Sequence, residues 1–244
     1  MKQIISIFIF FIYALINSQI KLEIKSLKKD APTQNYIEIK LINNSELYYA
    51  LPIDLSDVKP DFFGKNCDFS VNEITFLEKN DMLLRLLFIN ENTKKNEEDI
   101  YNFPNPQDLA HSKIIENQYL KKKDSVVSIN NFRIKKWKDS NNLRQSDDFV
   151  KLNYLIYSNI ILLKPKQEIT YKLNIDYSKL YSSRIHETDS YYYYYNLKKD
   201  VPYSFMLNYC IDNRVYRYLT QKQKETLKKY KLFSGNLNSN ILKW

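Results

Sequence analysis

Two histidines, His111 and His186, are the side chains best suited to proton transfer near neutral pH, and the chain has no others. His186 sits in Arg184-Ile185-His186-Glu187-Thr188-Asp189, where His186, Glu187 and Asp189 could offer ligands to a metal ion. Their spacing lacks the i, i+4 helical pairing of zinc hydrolases, so the segment reads as a solvated polar loop and no metal site is expected. His111 lies in a charged stretch and reads as exposed. A Ser/His/Asp triad draws its members from distant segments, and nothing singles out a set here, so no catalytic residue is assigned.

The run Tyr191 to Tyr195 is the most unusual local feature of the mature chain. Stacked tyrosines offer flat faces to sugar rings and hydroxyls to their polar edges, which makes Tyr191, Tyr193 and Tyr195 the candidate binding residues. The competing reading is a plain strand. Tyrosine is favoured there, and alternation leaves at most three of the five on one surface.

The two cysteines, Cys67 and Cys210, lie 210 − 67 = 143 residues apart. In an exported protein such a pair can be oxidised, and in any compartment it can pack as two small buried hydrophobes. Both readings stay open. The glycine count is more decisive, because Gly64 and Gly235 are the only two. A P-loop, a dinucleotide fingerprint and a nucleophile elbow each need two or more glycines at fixed spacing. None can be built, and no cofactor is expected.

Compartment is read from the N-terminus. Lys2 precedes a largely apolar run from Ile4 to Ile16, followed by Asn17, Ser18 and Gln19, which is the order of a cleavable signal peptide with Ser18 as the small residue at the cut. A thirteen-residue helix reaches about 20 Å, short of a hydrocarbon core of roughly 30 Å. Residues 1 to 18 therefore predict export to the periplasm or beyond, with no stable transmembrane anchor after processing. The 226 residues that follow (244 − 18) suit one large all-β domain. The net charge of +9 loses Lys2 and becomes +8. Lys, Asn, Ile, Tyr and Phe are over-used together, as in an AT-rich coding sequence, and acidic residues are scattered among the lysines. Nucleic acid is not an expected partner; an envelope protein or a glycan is.

Strand patterns must position any such site. Ile20, Leu22 and Ile24 alternate with Lys21, Glu23 and Lys25, as Ile37, Ile39 and Leu41 do with Glu38 and Lys40. Asn43-Asn44-Ser45 is predicted to turn the second strand into Leu47 to Leu51 as a hairpin, which Pro52 ends or places on a sheet edge. Ile74 to Ile89 reads as a further hairpin whose second arm, Met82 to Ile89, is fully buried. Ile160 to Leu163, a turn at Lys164-Pro165-Lys166-Gln167, and Ile169 to Ile175 read as another hairpin. Tyr191 to Leu197 and Tyr203 to Ile211 supply two strands around a turn at 199–202. Between about 90 and 158 the chain is polar and reads as an insertion, with a short helix near Gln107 to Lys121, a strand Val126 to Trp137, and a helix over Asp147 to Ser158. Thr220 is a predicted N-cap for a basic helix to about Tyr230, with Leu227 and Tyr230 inward; Lys222, Lys224, Lys228 and Lys229 could meet an anionic membrane surface, but the apolar face is thin and the helix reads as a solvated one bridging two strands. Ile241 to Trp244 closes the chain as a strand.

Three stretches, IEIKLINNSELYYALP (37–52), NIILLKPKQEITYKLNI (159–175) and LTQKQKETLKKYKLFSGNLNSN (219–240), resemble a group of exported, uncharacterised Bacteroidota proteins with an immunoglobulin-like or fibronectin-type-III-like sandwich. In the second stretch Lys166 stands where a glycine usually follows the proline. The resemblance implies a fold and no activity. The expectation is a mainly β chain: residues 1–18 a signal peptide, and 19–244 a single immunoglobulin-like antiparallel β-sandwich with a polar, partly helical insertion at about 90–158 and a short C-terminal helix. Its expected role is an exported, non-catalytic binding or structural module of the cell envelope; the alternatives are an envelope-polymer hydrolase or a subunit of an envelope assembly.

Overall fold

The computed structural model describes residues 19–31, 34–60, 82–96, 99–102, 128–176, 181–185, 190–195 and 197–244. The signal segment, Cys67, the first arm of the 74–89 hairpin, the 107–121 helix, His111, His186, Glu187 and Asp189 lie outside the described residues. What is described is mainly β, with several antiparallel sheets.

Alternation builds the first sheet. Strands β1 (Ile20–Ala31) and β2 (Gln34–Asn43) pair antiparallel, and β8 (Glu168–Asp176) adds to the far side of β2. The register puts Ile24 beside Ile39 and Leu22 beside Leu41, so the predicted apolar faces coincide and are buried. The largest sheet runs β13-β11-β5-β4, formed by β4 (Asp54–Pro60), β5 (Leu83–Asn90), β11 (Tyr203–Ile211) and β13 (Gly235–Asn238), and β14 (Leu242–Lys243) also pairs with β11. Strand β5 lies inside this sheet and is buried along Leu83 to Phe88, as its continuous apolar run predicts.

The inner faces of these two sheets share one core, with Leu22, Ile37, Ile39 and Leu41 from the first and Leu84, Leu86, Phe88, Phe205, Leu207 and Tyr209 from the second. This layering is compatible with a β-sandwich. It departs from an all-antiparallel one at two places. Strand β4 pairs parallel to β5, and β12 (Lys231–Leu232) pairs parallel to β3 (Tyr49–Pro52). A parallel pair needs a long connection, and 22 residues separate Pro60 from Leu83 in the sequence.

Two predicted hairpins are corners instead. Strand β2 belongs to the first sheet, whereas β3 is the middle strand of a separate sheet in which β12 and the strand Ile160–Leu163 flank it. Likewise β7 (Ile160–Leu163) pairs with β3 while β8 pairs with β2. Both connections therefore carry the chain from one sheet to another, and they lock together. The Asn43 amide donates to the Gln167 carbonyl at 2.9 Å, and its side chain donates to the carbonyls of Leu47 and Lys164 at 2.7 and 2.8 Å. Lys166 sits at φ 57°, the left-handed conformation that glycine usually supplies, and its Nζ donates to the Asn44 carbonyl at 2.7 Å.

The 90–158 region is less separate than an insertion. Strand β6 (Asp99–Asn102) pairs with β10 (Ser190–Tyr194), and β9 (Tyr181–Ile185) lies on its other side. The predicted strand at 126–137 is corrected to a helix, α1, over 128–140. Its β-branched residues suggested a strand, but Ile134 and Trp137, and likewise Ile129 and Phe132, are three apart, which is helical spacing. Helix α2 (Asp147–Ser158) appears where expected, with Ser146 accepting from the Phe149 amide at its N-terminus. It buries Val150, Leu152, Leu155 and Ile156, and Leu152 and Ile156 join the main core.

Candidate functional site

Tyr195 leaves the predicted tyrosine surface. It lies just beyond β10 and is 3% exposed, with its hydroxyl donating to the Leu86 carbonyl and its ring edge-on to Phe88 at 4.8 Å. A strand neighbour of a hydrophobic core satisfies both its ring and its hydroxyl this way. Tyr191 and Tyr193 are in the central strand of their sheet, opposite Asn102 and Ile100 of β6 and Arg184 and Ser182 of β9. Cys210 is buried on β11 and disulfide-bonded, and Cys67 is the chain's other cysteine.

The described surface instead gathers aromatic rings and cations around the sheet β12-β3-β7. Tyr48, just before β3, is 37% exposed, and its ring meets that of Tyr230 edge-to-face at 5.5 Å. Lys229 places its Nζ 5.0 Å from the Tyr48 ring centre and 5.2 Å from that of Tyr230. Two rings thus hold one exposed cation in place. Leu47 is exposed beside Tyr48, and Lys231 lies over the Tyr49 ring at 5.8 Å. From Leu227 to Trp244 the chain carries four lysines and no acidic residue.

Local structure fixes this group in place. Helix α3 (Gln221–Thr226) begins with a full capping box between Thr220 and Gln223 and stops well short of Tyr230. The Tyr230 amide then donates to the Leu227 carbonyl at 2.7 Å, turning the chain into β12. Lys231 and Phe233 donate through their amides to the carbonyls of Tyr48 and Ala50 at 2.8 and 3.0 Å, so Tyr230 is held against Tyr48 by strand pairing. Beneath them the Tyr216 hydroxyl donates to the Phe233 carbonyl, and burial pushes its pKa far above the ordinary tyrosine value, keeping it a donor.

The chain matches no family model, no curated protein and no solved structure. Its chemistry therefore rests on its own residues.

An exposed ring beside a held ammonium can take an anionic ligand with an apolar face. The ring covers C–H surface while the lysine meets the negative group. Sequence patterns miss this group because Tyr48 and Tyr230 are 182 positions apart (230 − 48). The lysine-rich stretch 228–231 is the one signal for it, and that stretch reads as a helix until the early stop at Thr226 is known. Among the described residues no three His, Cys, Asp or Glu side chains converge as metal ligands.

Proposed function

We propose that this chain is an exported, non-catalytic binding module of the cell envelope that holds an acidic glycan at Tyr48, Lys229 and Tyr230. The observation that carries the reading is the Lys229 ammonium, exposed and held about equally far from two aromatic rings. A uronic acid or sulfated sugar supplies both halves of the complement, a carboxylate or sulfate for the lysine and ring C–H groups for Tyr48. The signal-like residues 1–18 support a place outside the cytoplasm, where such polymers occur. The core shared by two sheet faces supports a sandwich of the immunoglobulin-like kind found in the exported Bacteroidota proteins that the sequence resembles.

Calorimetric titration of the mature protein with polygalacturonate and with neutral dextran tests the reading. Binding to the acidic polymer alone, weakened by salt, is expected. Equal binding to both, or to neither, overturns it.

A further inference from the structure

Helix α1 has two faces with different occupations. Asn130, Ile134, Trp137 and Lys138 face inward, partly covered. Trp137 donates through Nε1 to the Asn153 side chain at 2.9 Å and packs against Tyr154 and Tyr157, with ring centres 5.6 and 6.0 Å away, while Lys138 pairs with Asp147 at 2.6 Å. These contacts fix the helix on α2. The opposite stripe, Ile129, Phe132, Arg133 and Lys136, follows the i, i+3, i+4, i+7 spacing of a single face and is exposed throughout.

Phe132 is 68% exposed and Ile129 49% exposed, and Lys135 is also exposed beside them. The flank carries one acid, Asp139, so the face presents Arg133, Lys135 and Lys136 against a single negative charge. An apolar crest of aromatic and branched residues with cations on both sides is the pattern of a helix lying in a lipid interface. The apolar side chains enter at the headgroup boundary and the long basic ones reach phosphates. Helix α3, whose lysines could also meet an anionic surface, lacks that crest, because the Leu227 that follows it is buried.

We propose that α1 docks the protein on an anionic bilayer surface, with Phe132 and Ile129 inserted and Arg133, Lys135 and Lys136 on lipid phosphates. The occupant is a lipid surface because the cations ring the apolar crest. No helix among the described residues is long and apolar enough to cross a membrane, so the contact is peripheral.

Flotation of the mature protein with phosphatidylcholine vesicles, and with vesicles containing one part in three phosphatidylglycerol, provides the test. Binding to the anionic vesicles alone is expected, released by salt. Lys136→Ala should lower partitioning about fivefold and Phe132→Ser about tenfold, both with unchanged circular dichroism and unchanged polygalacturonate binding. Equal binding to both vesicles, no binding, or an unaffected Phe132→Ser variant overturns the proposal. So does a dimer in sedimentation that Phe132→Ser dissolves, since a second copy would then cover the face.

Discussion

Asn43 donates from its side-chain amide to the Lys164 carbonyl at 2.8 Å, joining two corners that are 121 residues apart in the chain. The same Nδ2 serves the Leu47 carbonyl, and Oδ1 accepts from the Ser45 amide and hydroxyl at 3.0 and 2.8 Å. One fully buried side chain thereby closes both corners where the chain passes between the first sheet and the β12-β3-β7 sheet. Asn43→Leu is expected to lower unfolding free energy by about 2 to 4 kcal/mol, because it removes at once the two carbonyl bonds and the two Ser45 bonds made by one buried side chain. Urea denaturation measures this; a loss under about 0.5 kcal/mol contradicts the interlocked corners.

Lys166 occupies a left-handed conformation, and its side chain is largely solvent-facing. Lys166→Gly should be neutral or stabilising by up to about 1 kcal/mol, since the lost contacts to Asn44 and Glu46 are exposed. Lys166→Val should destabilise by roughly 1 to 2 kcal/mol, as a branched side chain resists positive φ. The order of the two melting midpoints is the readout, and a higher midpoint for the valine variant contradicts the geometry.

Asn153 is fully buried on α2 and joins three elements. It accepts from Trp137 of α1 at 2.9 Å and donates to the carbonyl of Tyr218 and the side chain of Gln223, each at 2.6 Å. Asn153→Ala should cost about 2 to 4 kcal/mol and change the near-ultraviolet signal of Trp137, because several buried partners lose their bonds together. Loss of stability with no change at tryptophan contradicts the link to α1.

Cys210 is buried and disulfide-bonded, and the chain offers Cys67 as its partner. The expectation is no titratable thiol in the native protein and two after reduction, with reduction lowering stability by up to about 4 to 5 kcal/mol. Two thiols reacting in the native protein contradict the bridge.

Period-two patterning made β1, β2 and β8 legible, and apolar runs made β5 and β11 legible, since burial of one or both faces leaves a direct mark on residue type. Thr220 likewise marked the start of α3, because capping is local chemistry. Pairing was not legible. Asn43-Asn44-Ser45 and Pro165-Lys166 state that the chain turns, and nothing in them says whether the next strand returns to the same sheet or crosses to another. The site shared that difficulty, since Lys229 meets Tyr48 only through the parallel pairing of β12 with β3. The tyrosine run misled at Tyr195 for the complementary reason, as tyrosine serves a buried strand end and an exposed platform equally well.

The most direct measurement is calorimetric titration of polygalacturonate into the wild-type protein, Tyr48→Ala and Lys229→Glu, each checked for native circular dichroism. Loss of the ring or reversal of the charge should raise Kd about tenfold or more, with Lys229→Glu also flattening the salt dependence. Unchanged affinity in both folded variants would contradict a glycan site at Tyr48 and Lys229.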